Sequence, residues 1–312
     1  MNLWKNNAPK IYLVSMMVQL MLGFVALLAL QNAQNAYVYV AYLIPQIANV
    51  GVILVSMKLM KTPLSEGVPY REKPKLLCLF LTLPIMAGLY CQNLLFSVLF
   101  SWLMEAVGVP MTVSLPALDK WWQVLLAIPV LCIFPAVGEE MMFRGIIPKT
   151  FENRGMLSTI FLSALVFSLA HGNAAQLVHQ FILGATLVYL SRKTGTVLYA
   201  VIIHFFNNFT ALVLELVLPA NALGAPTPVN LGILFALFFA GILILYPSIF
   251  LFFNAHSGIS IKECFKDKKK AREVLWFNEP DLPAEKIGSW EIGMWAFLVL
   301  YLVINTLGSV LS

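Results

Sequence analysis

Charge is what this chain has least of. Only 11% of its 312 residues are charged, against about 25% in an average soluble set. With 60% hydrophobic residues, that shortage excludes a disordered chain and argues against a soluble globular enzyme. Cysteine is scarce as well. Cys78, Cys91, Cys132 and Cys264 form no C-x-x-C pair, so neither a zinc knuckle nor a redox couple is expected. Three of them fall in apolar runs, where cysteine behaves as a small hydrophobe. The chain has no H-E-x-x-H, no G-x-G-D and no G-x-S-x-G, so a zincin or serine intramembrane protease would lack its main signature. No RNA-binding or zinc-finger pattern accompanies the net charge of +5, and no nucleic-acid partner is expected. No internal repeat and no inverted pair of broken helices is visible, which counts against a transporter or proton-coupled channel.

What the chain does have is apolar length. Mean hydropathy is +0.83, and runs near the ~20 residues that cross a bilayer recur from end to end. They predict an all-α, polytopic transmembrane helix bundle of about nine spans, or eight: 11–31, 36–57, 76–104, 121–149, 156–171, 176–191, 196–218, 230–253 and 291–311. The fifth and sixth are short enough to be shielded by protein. The first run is longer than the ~7–15 residues of a signal-peptide core, so it reads as a first span. Lys5 and Lys10 precede span one. Lys58, Lys61, Arg71, Lys73 and Lys75 follow span two, Lys149 and Arg154 span four, and Arg192 and Lys193 span six. Lys262, Lys266, Lys268, Lys269, Lys270, Arg272 and Lys286 follow span eight, whereas the alternate connections hold only Lys120. Every second connection is basic, which places the N-terminus inside and the C-terminus outside. Compact loops and a basic N-terminus suit an integral protein of a bacterial cytoplasmic membrane, with the lipid bilayer as its first partner. Trp121 and Trp122 read as an interfacial anchor. The stretch from Lys262 to Arg272 is a topology determinant that could also attract anionic lipid or dock a partner or substrate tail.

Ionisable groups within spans cost about 2.5–3.5 kcal/mol each and need a reason. Span four carries Glu139, Glu140 and Arg144. Arg144 lies one turn after Glu140 on the same face, so those two can pair. Glu139 is rotated about 100° away and is left to face a cavity. A purely structural pair would account for Glu140 and Arg144 but not for Glu139. Span five ends on Phe167 and His171, one turn apart, so the ring can pack on the imidazole; taken alone, such a histidine reads as interfacial. Span seven carries His204 and Asn208 on one face, which alone would equally read as a helix–helix hydrogen-bonding pair. Counted from the basic ends at ~1.5 Å per residue, Glu139, His171 and His204 lie about 15, 20 and 12 Å deep. One carboxylate, two histidines and an amide at similar depth can form a hydrolytic site. His179 and His256 receive no role, and Glu215 is a minor candidate for access or structure.

The order E-E-x-x-x-R (Glu139, Glu140, Arg144), F-x-x-x-H (Phe167, His171) and H-x-x-x-N (His204, Asn208) resembles the CAAX protease and bacteriocin-processing family, also called type II CAAX endopeptidases or Abi-type membrane proteases. Gln180, Phe181, Gly184, Tyr189, Thr194, Gly195 and Ala200 follow the same family's pattern between the motifs. The resemblance covers about 119–212 and divides the chain into N-terminal helices (1–105), a catalytic core (119–212) and C-terminal helices with a basic cytoplasmic loop (216–312). It implies an intramembrane endopeptidase that cuts a peptide or membrane-protein substrate near the cytoplasmic face. By the same resemblance, Glu139 and His171 activate water, His204 and Asn208 stabilise the oxyanion, and Glu140 and Arg144 support the site. Glu139, His171 and His204 could ligate zinc with an open position, or the same groups could work without metal as a glutamate-type protease. The competing reading is a non-catalytic scaffold or bacteriocin-immunity protein that binds a peptide on the same fold. If the host is bacterial, a literally prenylated substrate becomes doubtful. The chain's own last residues, GSVLS, are not a CAAX box.

Overall fold

The computed structural model describes residues 3–70, 73–111, 113, 115–218, 226–276 and 287–311. Arg71 and Lys286, counted above among the basic loop residues, lie outside the described residues. Among the described residues every regular element is helical, apart from one isolated bridge between Tyr70 and Thr196. The helices are α1 (Leu3–Ala29), α2 (Gln34–Met60), α3 (Leu76–Ala106), α4 (Trp121–Arg154), α5 (Met156–Ala170), α6 (Leu177–Thr194), α7 (Leu198–Val217), α8 (Pro228–Ser257), α9 (Ile261–Lys266), α10 (Lys268–Leu275) and α11 (Ser289–Leu311).

Eight of the described helices are long and apolar enough to cross a membrane, one of them α6 with the helical turn Ala174–Gln176 ahead of it. The ninth expected span, α5, has only 15 residues. At ~1.5 Å per residue it reaches about 22 Å, short of a ~30 Å hydrocarbon core. It packs along α6 as a hairpin. Because α5 leaves one end of the bundle and α6 returns to it, the alternation of basic connections survives.

Those connections meet at one end. Val197 N–H donates to Pro69 O (3.0 Å), and Tyr199 Oη accepts from Lys75 N–H (2.8 Å). Arg192 reaches Glu152 at 3.6 Å, and Lys193 Nζ donates to Glu273 O at 2.7 Å. Arg154 grips Glu291 at the start of α11 with two bonds of 2.6 Å.

Two packing units flank α4–α7. On one side α1, α2 and α11 bury Trp4, Tyr12, Ile53, Met294 and Leu298 against Met142, Ile146, Phe151 and Val166. On the other, α3 and α8 bury Ile85, Leu89, Leu245 and Phe252 against Leu183, Leu187, Tyr199 and Ile203. Small residues set the α3–α8 approach: a Cβ on Gly88 would sit 2.6 Å from Leu245 N, and one on Gly241 would sit 2.7 Å from Gly88 O. Amides tie α1 to α2, since Ser15 Oγ donates to Asn49 Oδ1 at 2.7 Å and Gln19 Nε2 donates to the same oxygen at 3.2 Å. The outward faces carry large apolar side chains such as Met17, Phe24, Phe80, Leu243 and Leu300, all exposed. The chain is an integral membrane protein, and that surface is what lipid covers.

Candidate active site

α4 is a continuous rod that changes pitch twice. Segments Ile128–Ile133 and Met141–Ile146 are π-helical, and Phe134 N–H and Ile147 N–H reach back five residues to Pro129 O and Met142 O. Each widened turn is followed after one residue by a proline, Pro135 and Pro148. A proline ring clashes with the carbonyl four residues earlier and offers that carbonyl no N–H. Opening the turn relieves the clash, as π-bulges do elsewhere. Glu139 and Glu140 end the short α-helical stretch between the two, Phe134–Glu140.

The expected Glu140–Arg144 pair is present at 2.9 Å, and neither side chain has any exposed surface. Glu140 does more than the sequence suggested: its Oε1 also accepts from His204 Nδ1–H at 2.6 Å. The Arg144 guanidinium lies 4.1 Å from the centre of the Phe167 ring. Phe167 in turn stands edge-on to both His171 and His204, with ring centres 4.9 and 6.0 Å apart. One aromatic ring therefore braces a cation and two imidazoles.

Glu139 sits apart from that pair, with 14% of its side chain exposed. Oε1 accepts from Gln46 Nε2 on α2 at 2.9 Å. Oε2 faces His171 Nε2 at 3.9 Å and His204 Nε2 at 3.8 Å. The other nitrogens decide what those two faces offer. His171 Nδ1 lies 2.8 Å from Phe167 O, and His204 Nδ1 lies 2.6 Å from a Glu140 oxygen. A carbonyl or carboxylate oxygen accepts, so both Nδ1 atoms carry the proton. In their neutral forms His171 and His204 would turn an Nε2 lone pair toward Glu139. Gly172 follows His171 in the left-handed region (φ +59°) with the Tyr301 ring of α11 packed against it, so the turn that ends α5 is closed from outside.

Gln46 was not legible as a site residue, and Gly138 explains how it arrives. A Cβ at Gly138 would lie 2.6 Å from Gln46 Oε1 and 3.1 Å from its Cα. Gly138→Ala is therefore expected to push α2 off Glu139 and lower kcat about three- to tenfold. Gln46→Leu should do the same without the steric change. Steady-state kinetics of the two variants check this, and an unchanged kcat in both would show that the Gln46 contact is idle.

Asn208 lies one turn after His204 on α7, and its hydrogen-bond partners are outside the Glu139 cluster. Its Nδ2 donates to Leu131 O (3.0 Å), and its Oδ1 accepts from Asn207 Nδ2 (3.2 Å). Leu131 O is free for this because Pro135, four residues on, has no N–H. Thus Glu139, His171 and His204 are brought together on α4, α5 and α7, with Glu140, Arg144 and Phe167 behind them. Glu215 is exposed one turn from the end of α7. The His256 ring stacks on Phe252 at the basic end, ring centres 6.4 Å apart.

The donor set tests the zinc reading. Tetrahedral zinc with bonds of about 2.0–2.1 Å holds ligand atoms about 3.3 Å apart. The separations of 3.8 and 3.9 Å exceed that. Among the described residues no group of three His, Cys, Asp or Glu side chains is arranged to hold a metal ion. As placed, the residues do not fit zinc.

No curated protein and no solved structure matches the chain. A family model does: residues 120–210 match the Rce1-like type II CAAX prenyl endopeptidases. The matched segment runs from the start of α4 into α7 and contains every cluster residue from Glu139 to Asn208. Over that segment, a little under a third of its length, the chain is similar to the Rce1-like type II CAAX prenyl endopeptidases.

Proposed function

We propose that this protein is an intramembrane endopeptidase in which Glu139 and His171 activate a water molecule for attack on a peptide carbonyl. The observation that carries the reading is the facing of Glu139 Oε2 by two imidazole Nε2 atoms at 3.9 and 3.8 Å. Those distances are too long for direct hydrogen bonds and suit a bridging water, which at about 2.8 Å from two such atoms spans an angle of about 85–90°. Glu139 takes a proton as the water oxygen bonds to the carbonyl carbon, and later gives it to the leaving amine as the C–N bond breaks. His171, held by Phe167 O, accepts a hydrogen bond from the second hydrogen of the water, which stays on the oxygen as it joins the carbonyl carbon. The oxyanion is met by the Asn208 amide and by His204, which donates from Nε2 once its ring has taken up a second proton from solvent and returns that proton when the intermediate collapses. Glu140 then holds the Nδ1 proton. Arg144 holds Glu140 in place.

The substrate is a peptide or membrane-protein segment, cut toward the end of the bundle where the basic connections meet. We infer that this end is cytoplasmic, with the N-terminus inside, from the excess of Lys and Arg there. An internally quenched peptide ending in a farnesylated cysteine and three further residues is the first reporter. Cleavage that is lost in both Glu139→Ala and His171→Ala supports the proposal. Cleavage retained in both overturns it.

We take the reaction to be metal-free, a reading that the ligand separations favour. Turnover of the reporter is expected to stay within twofold after dialysis against EDTA and 1,10-phenanthroline. Loss on chelation that zinc restores would move the mechanism to a metal-dependent one.

A further inference from the structure

His179 takes no part in the chemistry above, yet it joins α3, α6 and α7. Asn93 on α3, only 1% exposed, brings Nδ2 within 3.0 Å of His179 Nδ1 and within 3.0 Å of the His179 carbonyl oxygen. An amide NH2 can only donate, so Nδ1 accepts and the ring proton of neutral His179 sits on Nε2. That Nε2 lies 3.2 Å from Asn207 Oδ1, which can only accept. Asn207, 5% exposed, is thereby fixed with its nitrogen toward Asn208, whose Oδ1 it reaches at 3.2 Å. Asn208 Nδ2 then meets Leu131 O at 3.0 Å. Every donor in this chain points the same way, and each bond leaves the next group one orientation.

The direction matters because an asparagine amide can present either an acceptor or a donor. Flipped, Asn208 would aim oxygen at a developing oxyanion and repel it. With Oδ1 occupied by Asn207, its nitrogen is the open end. One N–H goes to Leu131 and the second is left for a ligand. We propose that His179, with Asn93 and Asn207, is a positioning relay that holds the Asn208 amide nitrogen toward the scissile carbonyl. His179 thus influences turnover only through Asn208. The inference rests on the endopeptidase reading for its effect on rate, but its geometry stands independently.

Two measurements on the full-length protein in lipid nanodiscs test it. The chain has only four histidines, so 15N-histidine labelling gives an assignable spectrum. His179 is expected to be protonated at Nε2 with Nδ1 bare. His171 and His204 should carry the proton at Nδ1. A wild-type His179 protonated at Nδ1 alone overturns the relay, whether or not the protein cleaves anything. In the kinetic arm, His179→Leu is expected to lower kcat on the farnesylated reporter about tenfold with KM within twofold, less than the 10²–10³ of deleting an oxyanion donor outright. In the Asn208→Ala background the same change should cost less than twofold, and His179→Gln should recover most of the loss. Equal losses in both backgrounds overturn the relay. Asn93→Leu replaces His179→Leu in the cycle if the latter does not fold. A wild type that leaves the reporter intact counts against the endopeptidase reading on that substrate, and the tautomer spectrum still decides the relay.

Discussion

Glu139→Gln is expected to lower kcat by about 10³–10⁴-fold while the protein stays folded. Removal of a general acid–base group costs typically 10²–10⁴, and in the proposed mechanism Glu139 serves in both directions of proton transfer. The amide is nearly isosteric and keeps an oxygen for Gln46 Nε2, whose bond to Oε1 is 2.9 Å. It cannot take the proton of water. Glu139 is also not part of the buried ion pair, so its replacement leaves Glu140, Arg144 and His204 as they are. KM should change little, because the role proposed for Glu139 is on water rather than on the substrate chain. Thermal melting in detergent provides the folding control. A kcat within tenfold of wild type in a folded Glu139→Gln protein would refute the assigned role.

Arg144→Met is expected to destabilise the fold by about 3–5 kcal/mol, the cost of leaving a buried charge without its partner. Both members of the Glu140–Arg144 pair are fully buried, and Glu140 would be left to His204 alone. The substitution also strips the Phe167 face of its cation, 4.1 Å away. The ring would lose one of the contacts that brace His171 and His204. Activity should therefore fall together with stability, unlike in Glu139→Gln. Denaturant or thermal unfolding in detergent micelles measures the first effect. Glu140→Gln should be milder in packing, because an amide can still accept from His204 Nδ1–H. An Arg144→Met protein as stable as wild type would show that the ion pair is not what fixes α4.

The site was legible where the membrane makes a group expensive. Glu139, Glu140, Arg144, His171 and His204 stand out because a charge in hydrocarbon must be explained, and helical spacing alone paired Glu140 with Arg144. The similar depths calculated for three separate helices foretold the cluster. Amides gave no such signal. Gln46, Asn93 and Asn207 cost far less to bury, and each looks like ordinary helix–helix glue until its partner is seen. A search for amides deep in apolar spans would have raised Gln46 and Asn49, which lie on one face of α2. The bridging role of Glu140 was equally hidden, since His204 is distant in sequence. The eight-span alternative is the one the structure takes, with the fifth segment, already short in the sequence, as the one that does not cross. The segment 156–171 is apolar but short, and its packing against α6 shows it to be a hairpin arm. The π turns of α4 followed from prolines that sequence periodicity ignores.

The most direct measurement is comparative membrane peptidomics. Wild type and Glu139→Gln would be expressed at matched levels in a host lacking the protein, and the released peptides sequenced. The account predicts a set of cleavage products present only with wild type, with new termini mapping to membrane-proximal segments on the cytoplasmic side. Identical peptide pools from the two, with a cellular phenotype retained by Glu139→Gln, would contradict hydrolysis and leave a membrane protein that binds peptide without cutting it.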